Sequence, residues 1–331
     1  MAKTANKPST PKAMKIAVVV PCWREKDHIL DVLAGIGPEV ASIFVVDDAC
    51  PDGTGDYVRD KATDPRITVL HNAVNLGVGG ATVTGYKAAI DAGCDVIVKL
   101  DGDGQMNPSL IPNLVQPIER HQADYTKGNR LHRRDSARGM PVIRLLGNMV
   151  LTLMSKLSSG YWDIMDPTNG FTAIHADVAR ELPLDDLAKG YFFESDMLYR
   201  LSEQRAVVRD VAMRAHYGKE TSHLVVHRIF WPFIKGHTCN TWRRLIDTYF
   251  VRDIGIASFE LMFGAILLMA GILYGSIHWW LSIATGIPAT AGTAILSALA
   301  IIVGMQMLIA FIGHDTRHQP TEPAHLVNPE G

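Results

Sequence analysis

The chain has 331 residues, which is enough for one large domain or two. Its 34 acidic and 32 basic side chains leave a net charge of -2, so the composition gives no reason to expect a nucleic-acid partner. The four cysteines, at positions 22, 50, 94 and 239, show no CxxC spacing. This pattern argues against a zinc site or a disulfide framework and fits a reducing cytosol.

Strands and helices alternate through the first two thirds of the chain. The pattern predicts strands at 15–21, 42–48, 66–70, 96–100, 123–127 and 206–215, and helices at 25–35, 56–61, 79–92, 108–121, 142–157 and 190–204. A further strand and a helix start are expected within 166–178. The alternation predicts an α/β fold with a mostly parallel sheet and right-handed crossovers.

A glycine-rich segment, GVGGAT, opens the helix at 79–92. It lacks Gly or Ala at the final position of GxGxxG, where Thr82 stands, and it follows the third strand rather than the first. We therefore do not expect a dinucleotide site here. The GxxxxGK[ST] pattern of a P-loop does not occur in the chain.

The most informative stretch is the apolar strand at 96–100 and the sequence DGDGQ that follows it. Ligands of an open α/β sheet bind beyond the carboxyl ends of the strands, so Asp101 and Asp103 are placed for chemistry. The glycines on either side of Asp103 let the backbone turn and approach a ligand. Hard oxygen ligands of this kind suit Mg2+ or Mn2+, completed by substrate phosphates and water. A DxD pattern is also an ordinary strand-to-loop turn, and the motif alone leaves this alternative open.

A basic stretch begins at the end of the strand 123–127. Five cations fall within twelve residues: Lys127, Arg130, Arg133, Arg134 and Arg138. Such a run is either a solvated face or a phosphate-binding loop, because arginine can donate two hydrogen bonds to one phosphate.

Eight motifs occur in an order that resembles one known family. They are VVVPCWRE, VVDDACPDGT, NLGVGGA, LDGDGQMNP, GNR, DPTNGF, YFFESD and RAHYGKETS. Over about residues 15–222 they resemble the family 2 glycosyltransferases of the GT-A fold, and most of all the dolichol-phosphate mannose synthase branch. The resemblance implies a Rossmann-like sheet flanked by helices. It also implies transfer of a sugar from a UDP- or GDP-linked donor to a polyprenyl phosphate, with inversion at the anomeric carbon.

The resemblance further implies roles on the donor side. Nucleotide-binding positions are Pro21, Trp23, Glu25, Asp48, Asn75, Gly77 and Asp101. Metal positions are Asp101, Asp103 and Gln105, with Asp103 the direct ligand for Mg2+ or Mn2+ and Asp101 shared with the ribose. A cation held there would stabilise the charge that the departing diphosphate gains. Three residues depart from the family pattern: Trp23 stands for Tyr, Cys50 for Ser and Val78 for Lys.

On the acceptor side the resemblance implies that Arg130 and Arg214 hold the lipid phosphate. Further candidates for this role are Arg133, Arg134, Arg138 and Lys219. A phosphate monoester is already anionic at neutral pH, so it needs positioning more than deprotonation. Glu194 and Asp196 match the acidic motif that supplies the base in sugar-accepting relatives. Asp196 is therefore either a base or a residue that orients an arginine. The predicted catalytic set is Asp103, Arg130, Glu194, Asp196 and Arg214.

Two apolar stretches near the carboxyl end differ sharply from the rest. Between Ile254 and His314 the single Asp, Glu, Lys or Arg is Glu260. Phe259–Trp280 and Pro288–Gly313 each reach the ~20 residues needed to cross a bilayer. Arginines flank the pair and the intervening loop has neither Lys nor Arg, so the positive-inside rule predicts a multi-pass protein of the cytoplasmic membrane with its catalytic domain in the cytoplasm. Two apolar helices in a soluble core are the alternative.

Residues 223–253 mix aromatic and basic side chains, which suits helices that lie in the membrane surface. Packing of this segment against the catalytic domain is the alternative, and the two are compatible. The predicted units are a disordered tail at 1–14, a GT-A catalytic domain at 15–222, juxtamembrane helices at 223–253, a two-helix membrane hairpin at 254–314 and a cytoplasmic tail at 315–331.

Other functions remain open at this point. A transferase that extends a lipid-linked saccharide would need Asp196 as its base. A membrane protein with a dead nucleotide-sugar site is disfavoured by the intact DGDGQ, and a processive polysaccharide synthase is disfavoured because QxxRW is absent. The expected partners are a nucleotide sugar, a polyprenyl phosphate and the bilayer. Whether the chain forms a homo-oligomer leaves no trace in the sequence.

Overall fold

A computed structural model of the chain describes residues 14–130, 142–213 and 226–327. Five of the predicted phosphate-binding residues lie outside these ranges: Arg133, Arg134, Arg138, Arg214 and Lys219. Residues 1–13 of the predicted tail also lie outside them. The roles of these residues stay predictions.

Seven strands form one sheet. In chain order they are β1 Ile16–Cys22, β2 Val40–Asp47, β3 Ile67–His71, β4 Val96–Lys99, β5 Tyr125–Asn129, β6 Thr172–His175 and β7 Val208–Ala212. Their order across the sheet is β3-β2-β1-β4-β6-β5-β7. β6 runs antiparallel to β4 and β5, and the other neighbouring pairs are parallel. The prediction of a mostly parallel sheet is confirmed.

Helices cover both faces of the central strands. The sheet and these helices form the α/β domain. Its helices are α1 Ile29–Ala34, α2 Thr54–Lys61, α3 Gly77–Asp91, α4 Ile111–Glu119, α5 Val142–Ser159, α6 Ala176–Glu181 and α7 Phe193–Glu203. Val18 of β1 belongs to the core that contains Ile111 of α4, and Val19 belongs to the opposite core with Tyr86 of α3. Each fully buried valine contributes roughly 1.5–3 kcal/mol, so β1 is anchored to the cores on both faces of the sheet.

The first helix starts later than the sequence pattern predicts. The expected start was residue 25, whereas α1 starts at Ile29. Arg24 has a φ of 64°, and the carbonyl of Glu25 accepts from the N–H groups of His28 at 3.1 Å and Ile29 at 2.9 Å. The chain therefore makes a loop at the carboxyl end of β1 before it enters the helix.

A long helix connects the α/β domain to an apolar pair. α8 spans Val226–Ile246, continues as a π-helical turn at Asp247–Arg252, and is followed by α9 Ile256–Thr285 and α10 Ala291–Asp315. α8 packs against α5 and α7, which is the packing alternative weighed above. Its side chains Trp231 and Trp242 are nevertheless 70% and 67% exposed. One helix thus contacts the domain and also presents aromatic rings outward.

α9 and α10 form an antiparallel pair joined along small residues. The Ser297 hydroxyl donates to the Gly271 carbonyl at 2.9 Å, and Gly264 lies against Gly304. Small residues of this kind let apolar helices approach closely in a membrane. Both helices are long and apolar enough to cross a membrane, and only 22% and 17% of their most apolar windows are buried. Such exposure argues against two core helices of a soluble protein.

The segment after α10 folds back onto the α/β domain. It ends in a short helix, α11 Ala324–Val327. The buried Asp124 accepts from the backbone N–H groups of Ala324 at 2.8 Å and His325 at 3.1 Å, and from the His325 imidazole Nδ1 at 2.6 Å. The apolar pair is thus attached to the domain on both sides, through α8 before it and through this returning segment after it.

Candidate active site

The carboxyl ends of three parallel strands lie side by side at one edge of the sheet. β1 lies between β2 and β4; Trp23 and Asp48 come directly after β1 and β2, and Asp101 comes two residues after the end of β4. Residues from three separate motifs are therefore gathered where open α/β sheets bind ligands.

Asp48 orders the glycine-rich turn that starts α3. Its buried carboxylate accepts from the N–H groups of Leu76 at 2.9 Å and Gly77 at 2.7 Å, and from Asn72 Nδ2 at 2.8 Å. The Asn75 side chain also accepts from the Gly77 N–H at 3.1 Å. Gly77 is required here, because its φ is +79° and a Cβ would lie 2.5 Å from the Lys189 carbonyl oxygen. Three acceptor positions of Asp48 are thus engaged within the protein.

Asp47 orders the neighbouring turn in the same way. One carboxylate oxygen accepts from the Cys50 N–H at 2.7 Å and the other from the Gly55 N–H at 2.6 Å, at the start of α2. Negative charge near a helix N-terminus is stabilising. The consecutive aspartates therefore hold the loops that border the predicted nucleotide pocket.

The loop after β1 supplies an aromatic surface. Pro21 is buried inside the strand, whereas Trp23 is 45% exposed and has the Arg24 guanidinium 4.5 Å from its ring centroid. Glu25 lies under the DGDGQ turn, since a Cβ on Gly102 would be 3.6 Å from the Glu25 Cβ. An exposed indole at this edge can stack on a planar base.

The DGDGQ turn offers oxygen ligands alone. Asp103 is half-buried and accepts from the Gln105 N–H at 3.0 Å, and the Gln105 side chain is exposed. Within the described ranges, no three His, Cys, Asp or Glu side chains converge as a metal cage. Carboxylate and amide oxygens that leave several positions to phosphate and water fit Mg2+ or Mn2+.

Lys99 is a functional candidate that the motif analysis missed. It is the last residue of β4, its side chain is 1% exposed, and its Nζ contacts Asp101 Oδ1 at 2.6 Å and Glu194 Oε1 at 3.2 Å. Burial alone lowers the pKa of a lysine, but the two carboxylates outweigh it and raise the pKa of Lys99 above its ordinary value. Lys99 is therefore a cation enclosed behind the DGDGQ turn.

A second lysine, Lys127, which the sequence analysis counted in the basic stretch, is buried. Its ammonium group donates to the Asn169 carbonyl, and burial lowers its pKa to about 8. Lys127 is thus part of the interior and not of a solvated face.

Arg130 is held by a carboxylate in the DPTNGF motif. Its Nε donates to Asp166 Oδ2 at 2.8 Å and its Nη2 donates to Asp166 Oδ1 at 3.0 Å. The Asp166 side chain is 5% exposed and that of Arg130 is 35% exposed. A buried acid therefore fixes the plane of a half-exposed guanidinium at the end of β5.

The two acidic residues of the YFFESD motif have different surroundings. Glu194 faces Lys99, as described above. Asp196 is 7% exposed, and its oxygens accept from the Ala188 N–H at 2.9 Å and from Asn240 Nδ2 of α8 at 3.0 Å. Neither of these contacts is an arginine, and both tie α7 to its neighbours. The assignment of Asp196 as a base stays a prediction.

Residues 17–182 match the model of the family described as glycosyl transferase family 2. The chain belongs to this family. An undecaprenyl-phosphate mannosyltransferase of Micrococcus luteus is 33% identical over 192 residues, which are 56% of this chain and 77% of the relative. A UDP-N-acetylglucosamine–dolichyl-phosphate N-acetylglucosaminyltransferase of Methanococcus voltae is 25% identical over 238 residues, which are 66% and 94% of the two chains.

A solved structure supports the fold of this glycosyltransferase. Glucosyl-3-phosphoglycerate synthase from Mycobacterium tuberculosis, in complex with Mn2+, UDP and glucosyl-3-phosphoglycerate, matches with a TM-score of 0.51 at 20% identity. The match covers 70% of this chain and 80% of that one. The predicted GT-A fold and the resemblance to polyprenyl-phosphate glycosyltransferases are confirmed.

Three charged residues of the glycosyltransferase were not assigned from its sequence: Asp47, Lys99 and Asp166. Lys99 carried a signal, because it is a charged residue inside an otherwise apolar strand. Asp47 and Asp166 stand in motifs that the sequence analysis recognised, but they were given no role there. Their partners become visible once the strands lie side by side.

Proposed function

We propose that this glycosyltransferase transfers a sugar from a nucleotide sugar to a polyprenyl phosphate at a membrane surface, with inversion and with the help of Mg2+ or Mn2+. The observation that carries the proposal is the attachment of a GT-A site to a pair of helices apolar enough to cross a bilayer. An enzyme with a soluble acceptor would not need this pair of apolar helices. A lipid-borne acceptor does, because the membrane brings its phosphate to the site.

The relatives support the acceptor class more than the donor. One is named for undecaprenyl phosphate and the other for dolichyl phosphate, so both act on a polyprenyl monophosphate. Their sugars differ, since one name gives mannose and the other N-acetylglucosamine. The proposed donor is accordingly a UDP- or GDP-linked sugar.

On the donor side, the chain binds and orients the leaving group. Trp23 would stack on the base, and the turns held by Asp47 and Asp48 would border the nucleoside. Asp103 and Gln105 would hold the divalent ion. When bound, this ion neutralises the charge that develops on the diphosphate as the glycosidic bond breaks.

On the acceptor side, Arg130 would bind the lipid phosphate. The paired oxygens of Asp166 fix its guanidinium before the ligand arrives, which lowers the cost of ordering it on binding. A phosphate oxygen then attacks the anomeric carbon, the bond to the diphosphate breaks, and the nucleoside diphosphate leaves.

This route needs no base, because the attacking phosphate is already ionised near neutral pH. The contacts of Asp196 to Asn240 and to the Ala188 N–H favour a structural role for that residue. Extension of a lipid-linked saccharide is the second candidate function, and it would require Asp196 to accept a proton from a sugar hydroxyl.

The membrane orientation is also part of the proposal. Arg243, Arg244 and Arg252 precede α9 and Arg317 follows α10, so the catalytic domain would face the cytoplasm. The exposed Cys239 of α8 offers a test of this orientation. A membrane-impermeant thiol reagent should label Cys239 in inside-out vesicles and spare it in right-side-out vesicles; the reverse pattern contradicts the orientation.

The activity test uses the full chain in lipid nanodiscs with radiolabelled UDP- or GDP-sugars, Mg2+ or Mn2+, and undecaprenyl or dolichyl phosphate. We expect label on the lipid monophosphate with one donor class and none in the presence of a chelator. Asp103→Asn should lower turnover at least about a hundredfold, whereas Asp91→Asn, at an exposed carboxylate that ends α3, should retain it.

Two results would decide against the proposal. If the monophosphate stays unlabelled with every donor while a lipid-linked sugar is extended, and Asp196→Asn abolishes that extension, the second candidate function is correct. If nucleotide binds but no acceptor is labelled, the protein is a nucleotide-sugar binding protein with a dead site.

A further inference from the structure

A cavity of about 240 Å³ lies where the α/β domain meets the apolar pair. Its lining comes from the end of α5, the end of α7, the π-helical turn and the segment that follows α10. Among the described residues that line it, none is assigned above to the donor or to the acceptor. The cavity is therefore separate from the candidate active site.

The volume of this cavity suits a small polar group. One water molecule takes up roughly 30 Å³ in the liquid, so the cavity could hold a group as large as several waters. Pockets that enclose drug-sized ligands are larger, at roughly 300–1,000 Å³. A phosphate ester is thus a suitable occupant, whereas a nucleotide sugar is too large.

The charged side chains of the lining are three arginines and two aspartates, so their formal charge is positive by one. Two of these charges are buried and neutralise each other, because Arg244 Nη1 pairs with Asp315 Oδ1 at 2.8 Å. The other three are exposed: Arg205, Arg252 and Asp253. The solvent side of the cavity therefore carries the excess positive charge.

Arg205 is the cation with the most capacity for a ligand. It lies two positions after the end of α7, and within the described ranges its guanidinium makes no hydrogen bond or ion pair. Arg252 is held beside the same helix end, because its Nη1 donates to the Glu203 carbonyl at 2.6 Å and its Nε pairs with Asp247 at 2.7 Å. Arginine can donate two hydrogen bonds to one phosphate, so this pair suits a phosphate group.

The cavity also lies at the same end of both apolar helices. Asp253 precedes the first residue of α9 by three positions, and Asp315 is the last residue of α10. Val251 and Ile254, on either side of Arg252 and Asp253 in the chain, are each 69% exposed. In a bilayer, the ends of spanning helices lie at the level of the lipid headgroups, where basic pockets bind anionic lipids.

We propose that this cavity binds the headgroup of an anionic phospholipid, whose phosphate accepts from Arg205 and Arg252 and whose acyl chains lie against Val251 and Ile254. This inference rests on the proposed attachment of the apolar pair to a membrane. The lipid is not a substrate. It joins the end of α7 to the π-helical turn, and it is distinct from the polyprenyl phosphate proposed at Arg130.

The test titrates the full chain in detergent with phosphatidylglycerol and measures the bound lipid by native mass spectrometry. We expect one phosphatidylglycerol to bind about tenfold more tightly than phosphatidylcholine or phosphatidylethanolamine, and inorganic phosphate at the same concentration not to displace it. Arg205→Gln should weaken its binding at least about threefold, and Arg205→Lys should weaken it less because lysine keeps the charge. The matched control is Arg120→Gln, which removes an exposed arginine at the end of α4 and should leave the affinity unchanged.

Arg205→Gln should melt like wild type, because the described structure gives this side chain no internal partner to lose. The proposal is overturned if Arg205→Gln binds phosphatidylglycerol as tightly as wild type, or if phosphatidylcholine binds wild type equally well. Displacement of the lipid by inorganic phosphate would overturn it in favour of a site for free phosphate. Should Arg205→Gln melt at a lower temperature, the comparison of the three lipids on wild type decides.

A flotation experiment separates this inference from the proposed function. The full chain should float with phosphatidylcholine liposomes, since the apolar pair alone attaches it to the bilayer. A chain that does not float contradicts the membrane attachment, and with it the proposed function. A chain that floats but shows no preference for phosphatidylglycerol contradicts this inference alone.

Discussion

Asp315 is the residue through which α10 is joined to the rest of the molecule. It is 4% exposed, and its carboxylate accepts from Arg244 Nη1 at 2.8 Å, Arg244 Nη2 at 3.0 Å, the Tyr249 hydroxyl at 2.6 Å and Trp162 Nε1 at 2.9 Å. These donors come from α8, from the π-helical turn and from the loop after α5. We predict that Asp315→Asn loosens the whole junction.

The size of the effect follows from the number of charged contacts. Breaking a buried ion pair by removing one partner costs about 3–5 kcal/mol. Asparagine keeps the shape and one carbonyl oxygen, but its amide N–H groups point at the Arg244 donors. We therefore expect a loss near the lower bound, about 3 kcal/mol, which lowers the melting temperature by about 6–12 °C in a domain of this size.

The assay follows thermal unfolding of the purified chain in detergent by tryptophan fluorescence. Nucleotide binding is measured separately, about 20 °C below the melting temperature. The matched control is Asp253→Asn, because Asp253 is an exposed carboxylate just before α9. Nucleotide affinity should be unchanged, since the donors to Asp315 (Trp162, Arg244 and Tyr249) are not among the predicted nucleotide-binding residues. If Asp315→Asn and the control both melt within about 2 °C of wild type, the network does not hold the junction and the reasoning is wrong.

Three further predictions concern single side chains. Burial lowers the pKa of His237 from 6.5 to about 4. Between these two pH values the imidazole is therefore protonated in the unfolded chain and neutral in the folded one. The contribution of His237 to the free energy of unfolding should be full above about pH 6.5 and should fall by roughly 3 kcal/mol toward pH 4. Thermal melts at pH 7 and 4.5 should therefore show a smaller loss of stability at the lower pH for His237→Gln than for wild type. Gly170→Ala should lower turnover at least about tenfold, because its Cβ would clash with the Lys99 ammonium group. The control Gly190→Ala should leave turnover unchanged, because a Cβ there meets no atom within 4 Å. Equal turnover of the two variants would contradict the predicted clash at residue 170. Arg130→Lys should raise the KM for the lipid phosphate about tenfold, because lysine cannot form the two-pronged pair, and an unchanged KM would remove this residue from the acceptor site.

Much of the fold could be predicted from the sequence because its signals are local. The apolar runs at β1 and β4 and the alternation with helices predicted a mostly parallel sheet, and the composition of α9 and α10 predicted an apolar pair. The DGDGQ turn was also placed correctly, since it follows directly from the end of a buried strand. These features depend on residues that are neighbours in the chain.

The partners of the buried charges could not be predicted in this way. Lys99 meets Glu194 across 95 positions, and Arg244 meets Asp315 across 71. A buried charge must be compensated, but the sequence does not say by which residue, because that depends on which segments the crossovers bring to the same edge of the sheet. The sequence by itself therefore determined the family, the positions of the strands along the chain and the position of the DGDGQ turn. Only the tertiary structure decided that one aspartate of that motif is already paired with a lysine, and that the apolar pair is joined to the domain from both sides.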